Sequence, residues 1–374
     1  MSSFRLRFGA WLLALAPAAA ITLAALPAHA KEIVIGQVAP FSGSQAVTGK
    51  AIHAGAKLYI DHVNSQGGIN GQQIRLVTRD DAQKPQETVR LVKSLVQEEA
   101  PVALLGTVGT DNVKALIDDG VLVRSALPLV GAVSGASAVI GAPSVFVVKA
   151  SYHDEVTRLF EQLSNLTITR VGLVYQDDAL GQDVLGGADK AAASHNIQLL
   201  AKVGYARNTT DVGAAVAEMV KAAPQAIFLG ATTAAAIEFV RQYRARGGSA
   251  TIYGLSIIDT QQLLTQLGPD TARGFAFSVV LPMESQATLA VNREYAKLKA
   301  GAQNPDISAR SIEGFIAAKA LVAALRQANS PLKAMQSMRN QDLGGYLLDF
   351  GTPGRPGSAL VDFAMFGTGG RIIH

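Results

Sequence analysis

Two small-residue loops carry the groups best suited to gripping an anion. Leu105-Gly106-Thr107-Val108-Gly109-Thr110-Asp111 runs from the end of an apolar strand into a helix. Glycine lets the backbone approach a ligand closely, and Thr110 brings a hydroxyl. The helix start adds free N–H groups with a partial positive charge, a combination that suits a carboxylate. Gly131-Ala132-Val133-Ser134-Gly135-Ala136 also follows a strand end and is small and polar. Any α/β chain has several such turns, so the two matter only if the fold brings them to one crevice. Catalytic signatures are missing. There is no G-x-x-x-x-G-K-[ST] phosphate loop and no H-E-x-x-H; Ser134 comes one residue too late for G-x-S-x-G. His53, His62, His153 and His195 are scattered singly, as ordinary side chains are. Asp80-Asp81 and Asp177-Asp178 could act as paired acid and base, but each pair follows a strand, where capping a helix or lining a turn is the simpler role. The absence of cysteine excludes disulfides, thiolate catalysis, Cys-based zinc sites and lipid acylation. Nothing calls for a metal or cofactor.

The elements that must position these loops alternate. Strands are expected at Lys31–Ala39, Gln73–Thr78, Val102–Leu105 and Leu127–Val130, with helices at Thr48–Asn64, Gln86–Glu98 and after Asp111 as cap. The rhythm then restarts: helix Glu155–Ser164, strand Arg170–Tyr175, helix Gly181–Ser194, strand Ile197–Val203. A helix opened by Thr210 or Asp211 runs to Ala222, followed by strand Ala226–Leu229, helix Thr233–Arg246 and strand Thr251–Gly254. Helices at Leu289–Lys299, Ser311–Ala328 and Leu332–Met338 precede a Gly- and Pro-rich tail with short strands. Strand–helix alternation with near-continuous apolar strands implies parallel sheets covered on both faces, and two such runs imply two doubly wound lobes.

The first thirty residues read as an export signal. Arg5 and Arg7 precede an apolar run from Phe8 to Leu26, and Ala28-His29-Ala30 is a small-x-small cleavage site with Lys31 next. A chain exported without a lipid anchor is expected in the periplasm. Cleavage takes the formal charge from +4 to +2, because Arg5 and Arg7 leave with the signal. That is too small and evenly spread a charge for nucleic acid. The 344 residues left of 374 exceed what one core usually serves.

Several segments then resemble the type I periplasmic binding proteins of branched-chain amino-acid ABC importers, the leucine/isoleucine/valine-binding family. They are Ile35-Gly36-Gln37-Val38-Ala39-Pro40-Phe41-Ser42-Gly43, Val63-Asn64-Ser65-Gln66-Gly67-Gly68-Ile69-Asn70-Gly71, Val174-Tyr175-Gln176-Asp177-Asp178 with Leu180-Gly181, and Ser311-Ile312-Glu313-Gly314-Phe315. Their order and spacing cover essentially all of residues 31–374. The resemblance implies two α/β lobes joined by three crossings, near Ala150, Ser278 and Gly354, that close on a ligand. One lobe would hold 31–150 plus 279–355, the other 151–278 plus 356–374. The implied ligand set is Gln45, Gly109, Thr110, Val133, Ser134, Gly135, Asp178, Leu180, Thr232 and Ser256.

The departures from the family pattern are informative. Thr110 matches the hydroxyl that holds the ligand carboxylate, and Val133, Ser134 and Gly135 match the second wall of that pocket. Gly135 stands where amino-acid binders often carry a Thr that helps hold the ammonium. Leu180 and Thr232 stand where tyrosines are expected, and Ser256 where an acid pairs the ammonium, with Asp178 or Asp259 as replacements. The carboxylate end is kept and the ammonium end lost. This implies a small carboxylate-bearing ligand, an amino acid or, from the altered ammonium pocket, an aromatic, keto or other organic acid, delivered by a monomeric carrier to a membrane permease. A ligand-presenting sensor on the same fold and a secreted α/β enzyme using Asp177/Asp178 or Ser134 are the alternatives.

Overall fold

The computed structural model describes Met1 and residues 32–284, 286–328 and 330–373. The signal and cleavage site expected in the first thirty residues lie outside the described residues, Met1 apart. Apolar strands bury themselves between amphipathic helices, and the two sequence runs give two sheets. β1 (Ile33–Ala39), α1 (Ala46–Ser65), β2 (Ile74–Asp80), α2 (Pro85–Glu99), β3 (Ala103–Leu105), α3 (Thr110–Asp119), α4 (Val121–Arg124), β4 (Leu129–Val130) and β5 (Val145–Phe146) form the first. Its five strands are parallel, in the order β2-β1-β3-β4-β5.

After α5 (Tyr152–Asn165) the scheme repeats with β6 (Arg170–Asp177), α6 (Ala179–Ser194), β7 (Gln198–Ala206), α7 (Gly213–Ala222), β8 (Ala226–Gly230), α8 (Thr233–Ala245), β9 (Thr251–Gly254), α9 (Thr260–Ala272) and β10 (Phe275–Val279). The parallel order is β7-β6-β8-β9-β10, so counted from its own first strand each sheet runs 2-1-3-4-5. Then come α10 (Ala290–Gly301), α11 (Ser311–Gln327), α12 (Pro331–Ser337), the small hairpin β11 (Gln341–Asp342) and β12 (Leu347–Leu348), and β13 (Asp362–Phe366) and β14 (Ile372–Ile373). β13 pairs antiparallel to β10, and β14 to β13. The sheets are parallel as expected up to this edge, where the tail pairs antiparallel because it arrives without a helical crossover.

Three large core networks follow the sheets. One gathers residues 152–279 with Ala136, Ala364 and Phe366. Another gathers residues of β1–β5 and of 280–348 around α11, and a third packs α2, α3 and α4 against the first sheet. α11 is buried on nearly every side between Ser311 and Ala324, which explains its apolar character all round. It crosses α1 so closely that a Cβ at Gly55 would sit 1.8 Å from the Ser311 carbonyl oxygen, and one at Gly314 2.0 Å from that of Ile52. Tyr346 fastens the linking segments by donating its hydroxyl to the Val148 carbonyl at 2.7 Å.

Two helix starts differ from expectation. α3 has Gly109 at its cap position, and Asp111 sits in its first turn. α7 starts at Gly213 behind Val212, because tight turns use residues 206–212 first: the Thr209 hydroxyl donates to the Ala206 carbonyl and Val212 N–H to that of Thr210. α9 escaped the periodicity because Gly268, at φ 74°, and Pro269 interrupt it.

Candidate functional site

In an open parallel sheet the crevice lies beyond the carboxyl ends of the strands, where the strand order reverses. Here that point falls between β1 and β3 in one sheet and between β6 and β8 in the other. The two points face each other across a single cavity. The turn after β1 supplies Gln45 and the start of α1 Thr48; the loop after β3 supplies Val108 and Gly109, and the start of α3 Thr110. From the other side come Gln176, Asp178 and Leu180 after β6, and Thr232 after β8.

Gly109 holds φ 101°, and a Cβ there would sit 2.1 Å from Gln83 Nε2, so only glycine fits. No side chain caps α3, which leaves its first-turn amides to the cleft side of Gly109 and Thr110. Thr110 is buried, with its hydroxyl 2.9 Å from that of Ser134. Ser134 also accepts the Ala136 N–H at 3.2 Å. When Ser134 donates to Thr110, the Thr110 proton is free to point at an anion.

The expected set divides. Gln45, Gly109, Thr110, Val133, Asp178, Leu180 and Thr232 line the cavity. Ser134 and Gly135 do not: Ser134 backs Thr110, and Gly135 is pressed by Tyr152, whose ring would be 2.9 Å from a Cβ there. Ser256 is outside too. Its N–H and hydroxyl both donate to Glu155, at 2.9 and 2.8 Å. A buried acid, Glu155, therefore stands beside Ser256. Glu155 is nonetheless spent: Ser278 donates to it as well, it is buried, and it does not line the cavity. Burial pushes its carboxyl above the usual range.

The paired acids serve the backbone. Asp80 accepts from Phe41, Ser42 and Ala82 N–H. Asp81 accepts from Gln83 N–H, Thr88 and Asn112. Asp178 caps α6 through Gly181 N–H at 3.1 Å, and Gln176 Nε2 donates to it at 2.5 Å. Burial raises its pKa, and those bonds together with Arg207 oppose the rise. Asp259 caps α9 and accepts from Ser308.

The residues that the sequence reading passed over are Thr48, Gln83, Val108, Tyr152, Gln176, Arg207, Asn208, Ile257 and Arg310. Arg207, in the loop after β7, reaches across the cleft: its Nε lies 3.1 Å from Asp111, and its Nη2 donates to the Gln83 carbonyl and Asn112, each at 3.2 Å. On its own side it lies 3.4 Å from Asp178. Arg310, just before α11, donates to the Ser256 carbonyl at 2.6 Å. Tyr152 was legible in principle, since Ser151 and Asp154 form a capping box that fixes where α5 begins. Nothing local marks Arg207, because its partners are far away in sequence.

Comparisons with known proteins agree with this geometry. A family model described as periplasmic binding protein matches residues 32–359. A Leu/Ile/Val-binding protein homolog of Brucella suis is 24% identical, over 89% of this chain and 87% of its own. A substrate-binding periplasmic protein of Ralstonia solanacearum is 44% identical with a TM-score of 0.88, covering 91% of this chain and 99% of its own. An ABC-transporter solute-binding protein of R. palustris, solved with benzoate, shares the fold at 20% identity and a TM-score of 0.79, covering 92% and 95%.

Proposed function

We propose that this chain, which belongs to the periplasmic binding protein family, is exported with its signal cut after Ala30 and carries a small organic acid to an ABC permease. The ligand is a carboxylate without an α-ammonium group, aromatic or keto acids being the leading candidates. One observation carries this. Among the described residues lining the cleft the only carboxylate is Asp178, and it is already engaged by Gly181 N–H, Gln176 and Arg207. A buried ammonium would find no free anion there, and burying a charge unpaired is costly. The Thr110 hydroxyl and the uncapped start of α3 offer an anion what it needs.

The mechanism needs no covalent step. The lobes, 31–150 plus 279–355 and 151–278 plus 356–374, turn about crossings near Ala150, Ser278 and Gly354. The carboxylate docks first on Gly109 and Thr110. Closure then brings Leu180, Thr232 and Tyr152 over the remainder of the ligand and lets Arg207 span the cleft. Contacts made only in the closed form are what shift the population toward it. A monomer suffices for this cycle.

The R. palustris protein's complex with benzoate illustrates that the fold accommodates such an acid in that protein. The test is a thermal-shift screen of amino acids against aromatic and aliphatic acids. An acid present at ~100 times its dissociation constant should add roughly 2.7 kcal/mol of stability. An amino acid that outperforms every plain carboxylate would overturn the reading.

A further inference from the structure

A second cavity of about 320 Å³ lies beside the cleft, and Arg310 lines both. Its walls come from both sides of the molecule. Leu264, Phe277 and Phe366 belong to the β6–β10 side, and Val280, Leu281 and Ile312 to the side of α11. The lining is mainly apolar. A cavity of ~150 Å³ lined by aliphatic and aromatic side chains already accepts benzene, and drug-sized pockets begin near ~300 Å³, so this space suits a substituted aromatic ring.

One side chain keeps donors in reserve. Arg310 is 5% exposed; its Nη1 donates to the Ser256 carbonyl and its Nη2 lies 2.6 Å from Glu313 as an ion pair, but neither Nε nor Nη2 has a hydrogen-bond partner among the described residues. A buried N–H without an acceptor is costly, and an acceptor in this cavity would relieve it. The charge balance selects the kind of acceptor. The buried cations Arg310 and Lys149 are matched by Glu313 and Glu155, and Glu284, which also lines the cavity, is paired with Lys299. A second anion would meet no spare positive charge, whereas a neutral oxygen would meet no repulsion.

We propose that this cavity is a second small-molecule site, for a neutral, mainly apolar molecule bearing one hydrogen-bond acceptor, such as an aryl ketone. Because its walls belong to both lobes, an occupant favours the closed form and tightens ligand retention in the cleft. The site is chemically distinct from the cleft, so its test does not depend on the organic-acid reading.

Calorimetric titration of the full mature chain with acetophenone tests it, with ethylbenzene as the shape-matched control lacking an acceptor. The expected result is saturable millimolar or tighter binding of acetophenone, several-fold weaker binding of ethylbenzene, and at least tenfold weakening in Leu264→Trp, which fills the cavity. Thr110→Val, which alters the cleft alone, should leave acetophenone binding within twofold. Should Leu264→Trp fail to fold, Gln261→Phe at the same wall replaces it. No saturable binding, unchanged binding in the filled variant, or loss of binding in Thr110→Val would overturn the proposal. If no carboxylate binds in the cleft while acetophenone behaves as stated, the organic-acid reading falls and this one stands.

Discussion

The cleft and the joint behind it solve opposite problems. At the cleft wall, the loop after β3 offers hydroxyl and amide groups without a fixed charge: Gly109, Thr110 and the open start of α3. At the joint, four charged side chains are almost fully buried together. Lys149 lies 3.4 Å from Glu313, Glu313 meets Arg310, and Glu155 is held by Ser256 and Ser278. Burial lowers the Lys149 pKa and raises that of Glu155. The contrast teaches where charge is useful. A ligand wall must keep donors in reserve, while a joint can consume its charges on itself and gain a specific geometry at a cost in desolvation.

The largest effect should come from unbalancing the joint. Glu313→Ala strands Lys149 and Arg310 as buried cations, and about 3–5 kcal/mol of stability should be lost in urea unfolding. A loss under 1 kcal/mol would mean that water reaches the cluster and that the contrast with the cleft is false.

The mirror experiment at the cleft is Thr110→Val, which keeps the shape and removes the hydroxyl. A hydrogen bond to a charged group is worth about 1.5–3 kcal/mol, so carboxylate affinity should fall roughly ten- to a hundredfold while the unfolding midpoint moves little. Equal losses of stability and affinity would show that Thr110 serves the Ser134 contact more than the ligand.

Arg207 belongs to neither region, since it ties one wall of the cleft to the other. Arg207→Ala should speed ligand release about tenfold, near 1.4 kcal/mol, with a smaller change in the association rate. Stopped-flow release would read this, and a change confined to association would assign Arg207 to steering instead.

The smallest effect is at Asp178. Burial raises its folded pKa above the ordinary 3.8, so its ionisation works against folding. That penalty is complete above the folded pKa and fades as pH falls from there to 3.8. Asp178→Asn should therefore be slightly more stable than the natural chain at neutral pH, with the advantage vanishing below 3.8. Urea midpoints across pH 3–7 measure it, and an advantage that grew on acidification would reverse the sign of the account.

Much of this was legible along the chain because it is local. The two parallel, helix-covered sheets follow from apolar strands spaced by amphipathic helices, and the glycine-bearing loops Gly106–Thr110 and Gly131–Gly135 announced strand ends. What remained hidden is long-range. Glu155 reads as one more acid on α5 until β9 and β10 bring Ser256 and Ser278 against it. Arg207 and Gln83 are 124 residues apart, and no periodicity connects them. The antiparallel edge β13–β14 hid in a Gly- and Pro-rich tail with too few residues per strand to show a pattern.

The most direct measurement compares acids with their own amino-acid counterparts on one carbon skeleton. Calorimetric titration of 3-phenylpropionate against phenylalanine, and of 4-methylpentanoate against leucine, isolates the ammonium group. In each pair that binds, the plain acid should be tighter by at least tenfold if the cleft binds as proposed, since its described lining offers donors to a carboxylate and no free anion to an ammonium. Tighter binding of phenylalanine or leucine would contradict the account.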